Sequence, residues 1–181
     1  MKIIEGTVEE IVEYERRTAV VGEPEAPEET PEPDGDEPPA AITAEHGFSG
    51  EDGFQIQRHI YSRGVDAAIV RRVVSFIEQL PAATKVEIGT SERTRDRLSN
   101  YLMVRDNGPQ YFGAVVYVEP RSGRLTFRLR PAEVADISDE GVVERNVSAK
   151  QRYAIRCWLD EDAKLPLALT LTQRALDVVR S

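Results

Sequence analysis

The sequence predicts an α+β fold: a mainly antiparallel sheet of about five to seven strands, two or three helices on one face, and a long acidic linker. Three observations carry this reading. Between residues 100 and 159, short β-prone runs are separated by dense clusters of turn residues. Two segments, 67–80 and about 163–180, place apolar side chains at helical spacing. Residues 21–53 hold eleven carboxylates, six prolines and no lysine or arginine, with Val21, Ile42 and Phe48 as their only large apolar side chains. Such a stretch cannot bury enough apolar surface to offset its ordering entropy, so it reads as a disordered tether.

Taken in order, Lys2-Ile3-Ile4 is a short β-prone run, and Thr7-Val8-Glu9-Glu10 forms a capping box ahead of a short amphipathic helix over 8–17. A strand and helix in about 20 residues cannot stand alone. They are expected to dock on the main domain, or on a second copy, with residues 2–5 as an edge strand. After the tether, residues 54–61 alternate like a strand, with Phe54, Ile56 and Ile60 on one face. Residues 67–80 form the most regular helix, stopped by Pro81. Residues 85–88 are a short strand, and 90–99 read as a helical turn or a loop. Residues 101–104 and 111–118 pair across Asp106-Asn107-Gly108-Pro109, and the second run pairs with 124–130 across Pro120-Arg121-Ser122-Gly123. Pro131 introduces a short helical segment, 142–147 and 153–159 form another hairpin, and a helix over 163–180 closes the chain. The expected domains are therefore 1–20, 21–53 and 54–181.

Charge follows the same division. The 181-residue chain carries −9 overall, the tether −11, and residues 54–181 hold 20 basic and 16 acidic groups, net +4. The acidic balance belongs to the tether, and the main domain is expected to be mildly basic. No apolar run approaches the roughly 18–20 residues of a membrane-spanning helix, and Met1-Lys2-Ile3-Ile4-Glu5-Gly6 has no apolar signal region. A lone cysteine, Cys157, excludes an internal disulfide and suits a reducing cytosol.

The sequence points to no catalytic residue, metal or cofactor. His46 and His59 stand apart, and no HxH, HExxH or CxxC spacing occurs. Gly47-Phe48-Ser49-Gly50 has the wrong spacing for a nucleophile elbow. Cys157 alternates with Tyr153, Ile155 and Leu159, which predicts a buried thiol. No phosphate-cradling glycine motif is present. Asp66, Glu87, Glu92 and Asp96 could be assembled into a nuclease-like set, but each also fits a cap or a solvated face.

One constellation remains. In 124–130, Leu125, Phe127 and Leu129 face one way, and Arg124, Thr126, Arg128 and Arg130 the other. In 153–159, Ala154, Arg156 and Trp158 share the side opposite the apolar one. Arg124, Arg128, Arg130 and Arg156 would thus surround Trp158, with Arg121, Lys150 and Arg152 in adjoining turns. Arginines beside an aromatic can grip phosphates and stack on bases. The same pattern fits a solvated face whose arginine stems cover the indole, or a face covered by the acidic tether. The 19 arginines against 4 lysines also match the codon bias of a GC-rich genome.

Residues 115–130, 131–134 and 144–147, with Pro120-Arg121-Ser122-Gly123, Leu125-Thr126-Phe127-Arg128-Leu129-Arg130 and Pro131-Ala132-Glu133-Val134, resemble a small domain of predicted transport proteins. That domain is also appended to restriction-enzyme-like proteins, and the pattern loosely resembles the double-wing fold of the MmcQ/YjbR proteins. The resemblance covers under half the chain and implies an accessory or nucleic-acid-associated module, with no catalytic residues to carry over. Two functions follow as expectations. One is a non-catalytic cytosolic interaction protein that binds a protein partner or a second copy. The other is a nucleic-acid-binding accessory protein that uses the arginine face.

Overall fold

The computed structural model describes residues 42–45, 47–50, 52–91, 94–108, 113–138, 140–148 and 151–181. The expected N-terminal strand and helix and most of the acidic linker lie outside the described residues. Among the described residues, seven antiparallel strands form one sheet in the order β1-β2-β3-β4-β5-β7-β6, and three α-helices accompany it. The strands are β1 Ile42–Glu45, β2 Thr84–Ser91, β3 Thr94–Asp106, β4 Ala114–Glu119, β5 Arg124–Phe127, β6 Val143–Glu144 and β7 Ile155–Trp158. Three helices, α1 Gly53–Arg63, α2 Ala67–Glu78 and α3 Leu165–Arg180, pack on one face. The predicted class is the observed one.

The core lies between that face and the helices. Val86 and Ile88 of β2, Leu102 and Val104 of β3, Val116 and Val118 of β4, Leu125 and Phe127 of β5 and Ile155 and Cys157 of β7 are all fully buried. They meet Ile56 and Ile60 of α1, Val73, Phe76 and Ile77 of α2, and Leu171, Ala175 and Leu176 of α3. Asp66 caps α2 by accepting from the amides of Ala68 at 2.7 Å and Ile69 at 3.0 Å, which satisfies two otherwise orphaned donors. Pro166 sits in the first turn of α3, where its missing N–H costs nothing.

Three expectations are corrected. Residues 54–61 are helical, within α1, instead of forming a strand. Arg58 breaks the period-two pattern, whereas Ile56, His59 and Ile60 make a helical stripe that is buried; Phe54, which a strand would have needed inside, is 46% exposed. Strand β1 lies inside the predicted linker, where Ile42 and Ala44 pair opposite Ile88 and Val86 at one edge of the described sheet. The turn after β1 packs closely too: a Cβ on Gly53 would stand 1.7 Å from the Phe48 carbonyl oxygen. The linker reading weighed composition alone, and pairing with β2 overrides it. Residues 94–99 continue β3 instead of forming a helical turn or loop, because β2 and β3 pair out to Ser91 and Thr94.

Moving the boundary alters the charge balance. Residues 42–181 carry 20 basic and 19 acidic side chains, net +1, while residues 1–41 carry 3 and 13, net −10. The folded part is near neutral, so any anion preference must come from how its charges are arranged.

Candidate functional site

Among the described residues, no helix packs on the sheet face opposite the core. One cross-strand row runs over that face through all seven strands: Thr43, Glu87, Met103, Tyr117, Thr126, Arg156 and Val143. The neighbouring row places Glu119, Arg124 and Trp158 side by side. Alternation explains both rows across the sheet from β1 to β7, since these residues flank buried positions in their own strands, whereas Val143 belongs to β6, whose two residues are both exposed. On this face a hollow of about 340 Å³ is lined by Tyr101, Tyr117, Tyr153, Arg124, Thr126, Arg145 and Arg156.

Tyr153 reaches this face through a slip in the ladder. Phe127 pairs with Ile155, but the next bond runs from the Ala154 amide to the Leu129 carbonyl, so one extra residue is inserted. Ala154 is therefore buried, at 3% exposure, and Tyr153 turns outward, the reverse of the predicted alternation. Its hydroxyl donates to the Ala114 carbonyl at 2.6 Å, and its ring lies 5.2 Å from that of Tyr117. Burial and the neighbouring Tyr117 push the phenol up to about 12, against the opposing pull of Arg128 and Arg105.

The arginines differ in how far they are committed. Arg124 lies 3.0 Å from Glu119 and donates to the Tyr101 hydroxyl at 3.3 Å; Ser122 also donates to Glu119, at 2.6 Å. Arg105 pairs with Glu87 through Nε at 2.9 Å and Nη2 at 3.1 Å. Arg145 donates to the Tyr153 carbonyl at 2.8 Å. Arg105 and Arg156 both have a buried Nε without a hydrogen-bond partner among the described residues. That of Arg105 still lies 2.9 Å from the Glu87 carboxylate as an ion pair, which leaves Arg156 as the less committed of the two. Burial, then the nearby Arg145 and Arg124, lower its proton affinity, while Glu119 and Tyr101 oppose this. A guanidinium remains charged regardless, so the arrangement favours an added anion.

Of the eight sequence-predicted residues, Arg124, Arg156 and Trp158 share this face. Arg121 is exposed in the turn between β4 and β5. Arg128, Arg130 and Arg152 instead line a cleft of about 230 Å³ against Val178 and Val179 of α3. There Arg130 holds Glu133, with its amide 2.8 Å from Oε2 and its Nε 2.9 Å from Oε1. Lys150 lies outside the described residues. The predicted single cluster around Trp158 is thus divided, because regular pairing of β5 ends at Phe127 and the ladder slip follows. Tyr101, Tyr117, Tyr153 and Arg145 were missed. The parity of Tyr101 and Tyr117 in their strands could have placed them; the slip that turns Tyr153 leaves no mark in the apolar pattern.

Other candidates disperse. Asp66 caps α2 and Glu87 holds Arg105, so these two do not form a carboxylate set. Cys157 is fully buried, as expected. Among the described residues, no group of three His, Cys, Asp or Glu converges to hold a metal, and no helix is long and apolar enough to cross a membrane. No family model matches the chain, and neither a curated protein nor a solved structure does.

Proposed function

We propose that the protein is a binding module that holds single-stranded nucleic acid on the sheet face opposite the core. The observation that carries this reading is the buried Arg156 Nε without a partner, set between Arg124 and Arg145 and ringed by three tyrosines. Phosphates would occupy the arginine positions, and unstacked bases would lie on the tyrosine rings; each stacked base contributes about 1–3 kcal/mol. Duplex is the poorer ligand, since no described helix presents a basic row to a groove and a sheet face reads splayed bases.

A second reading, a protein partner or second copy, is supported by Tyr101 and Val143, exposed at 37% and 41% on the same side of the sheet. Strand addition is the less favoured route to either partner. The Thr43 amide on edge strand β1 already donates to Asp52 at 3.2 Å, and β6 at the other edge has two residues.

Fluorescence-anisotropy titration of the full chain with single- and double-stranded oligonucleotides tests the proposal. Single strands should bind more tightly, with affinity falling steeply as salt rises. Absence of binding by either form at low salt contradicts it. Self-association that responds weakly to salt supports the second reading.

A further inference from the structure

The arginines divided between the face and the α3 cleft are joined by a third hollow. Arg145 lines both the tyrosine hollow and a groove of about 830 Å³ beside the turn between β6 and β7. Arg130 lines both that groove and the cleft of about 230 Å³ against α3. The three hollows therefore run end to end: Arg124 and Arg156, then Arg145, then Arg130, then Arg152 and Arg128. Six arginines and two glutamates line them. Glu133 is already engaged by Arg130 and, beside the first hollow, Glu119 by Arg124, which leaves Glu144 as the remaining carboxylate lining the route among the described residues. Between the arginines, the middle groove offers neutral polar and backbone groups from Asn146, Ser148 and Gln151.

Resting on the reading of the face as a nucleic-acid site, we infer that the bound strand continues past Arg145 through the groove and into the cleft at Arg152. The ligand is then a linear polyanion of roughly four to eight nucleotides, in the lower part of the range for small single-strand-binding domains. The chained shape carries this inference. A mononucleotide site would be one enclosed pocket, whereas these hollows are open, share walls and keep a cationic group at each junction. Arg152 is exposed, and although its charge already acts on Glu133 in the same cleft, that carboxylate is hydrogen-bonded to Arg130, so the Arg152 guanidinium can still turn to a phosphate.

The test compares oligothymidylates of about four and about twelve nucleotides on the full chain, each titrated over a range of salt. The longer strand should show the steeper salt dependence, because each added phosphate contact contributes about 0.7 to the logarithmic slope. Arg152→Gln should weaken the long strand about threefold to tenfold, lower its slope, and affect the short strand less. Arg156→Gln should weaken both. Equal slopes for the two lengths, or an Arg152→Gln variant that binds the long strand like wild type, overturns the extended path and leaves the face site standing. Failure of both lengths to bind at low salt overturns the face site and the path with it. Arg152 is exposed, so an unchanged melting curve confirms that its variant is folded.

Discussion

The Tyr153 hydroxyl donates to the Ala114 carbonyl at 2.6 Å and fastens the segment just before β7, where the ladder with β5 slips by one residue, to the first residue of β4. Gly113, at φ +79°, precedes that carbonyl in a left-handed conformation that other residues rarely adopt. A Cβ there would come within 3.8 Å of the phenol oxygen. The tyrosine that the strand pattern would bury is thereby presented on the face opposite the core.

Tyr153→Phe keeps the ring beside Tyr117 but leaves the Ala114 carbonyl without this donor. The expected cost is about 1 kcal/mol of unfolding free energy, read by urea denaturation. The phenol ionises near pH 10 in the unfolded chain and near 12 in the fold, so the folded state binds more protons across that window. Wild-type stability should therefore fall as pH rises from 10 to 12, and the phenylalanine variant should lack this contribution.

His59 sets an acid limit. Its Nε2 is buried without a hydrogen-bond partner among the described residues. Burial, then the charge of Arg63, lower its pKa from 6.5 to about 4, against a hydrogen bond with the Ser99 backbone that favours protonation. Between those values the unfolded chain binds the extra proton, so stability is fully present above pH 6.5 and declines toward pH 4. The effect reaches about 3 kcal/mol at most. In His59→Leu, the difference between denaturation midpoints at pH 7 and pH 4.5 should shrink.

Asp106 secures the end of α3. Its carboxylate, 4% exposed, accepts from Arg180 Nε and Nη2, each at 2.7 Å, and from the Gly108 amide at 2.7 Å. These bonds, led by Arg180, hold its pKa below the usual carboxylate range, so their stabilisation is present above about pH 4 and lost as pH falls further. Asp106→Ala should cost about 2 kcal/mol and speed amide exchange in the last turn of α3.

Charge partition gives a prediction independent of contacts. Deleting residues 1–41 changes the net charge from −9 to +1. The shortened chain should associate more tightly with oligonucleotides, and the gain should shrink as salt shortens the Debye length. Equal affinity at all salt concentrations would show that the acidic residues exert no field at the site.

The layers and the three hairpin pairings β3–β4, β4–β5 and β6–β7 were legible, because the stripe of Val73, Phe76 and Ile77 and the alternation of Leu125 and Phe127 each allow one placement. The pairings that involve β2 and the β5–β7 pairing were not named from the sequence. Ile42 was not legible as a strand: two inward side chains in an acidic stretch become strand residues only through β2. The residues around Ile56 satisfied two periods at once, and only packing decided between them. At the site, alternation placed Arg124, Arg156 and Trp158 together. The grouping of Arg128 and Arg130 with them failed because the ladder slips by one residue between Phe127 and Leu129, opposite Ala154, and redirects the end of the sheet. Net charge misled in both directions, since the whole chain is acidic, the fold is near neutral, and the arginines are concentrated on a few surfaces.

Arg156 bears the central claim, because a partly buried cation whose Nε has no hydrogen-bond partner among the described residues burdens the free protein more than the complex. Replacing it by methionine keeps the buried stem and removes the charge repelled by Arg145 and Arg124. Unfolding midpoint and oligonucleotide affinity should be measured together on Arg156→Met. The account predicts a midpoint equal to or above wild type, a gain of at most about 1 kcal/mol given residual solvent access, with roughly tenfold or greater loss of affinity. A lower midpoint with unchanged affinity would contradict it and make Arg156 a structural residue.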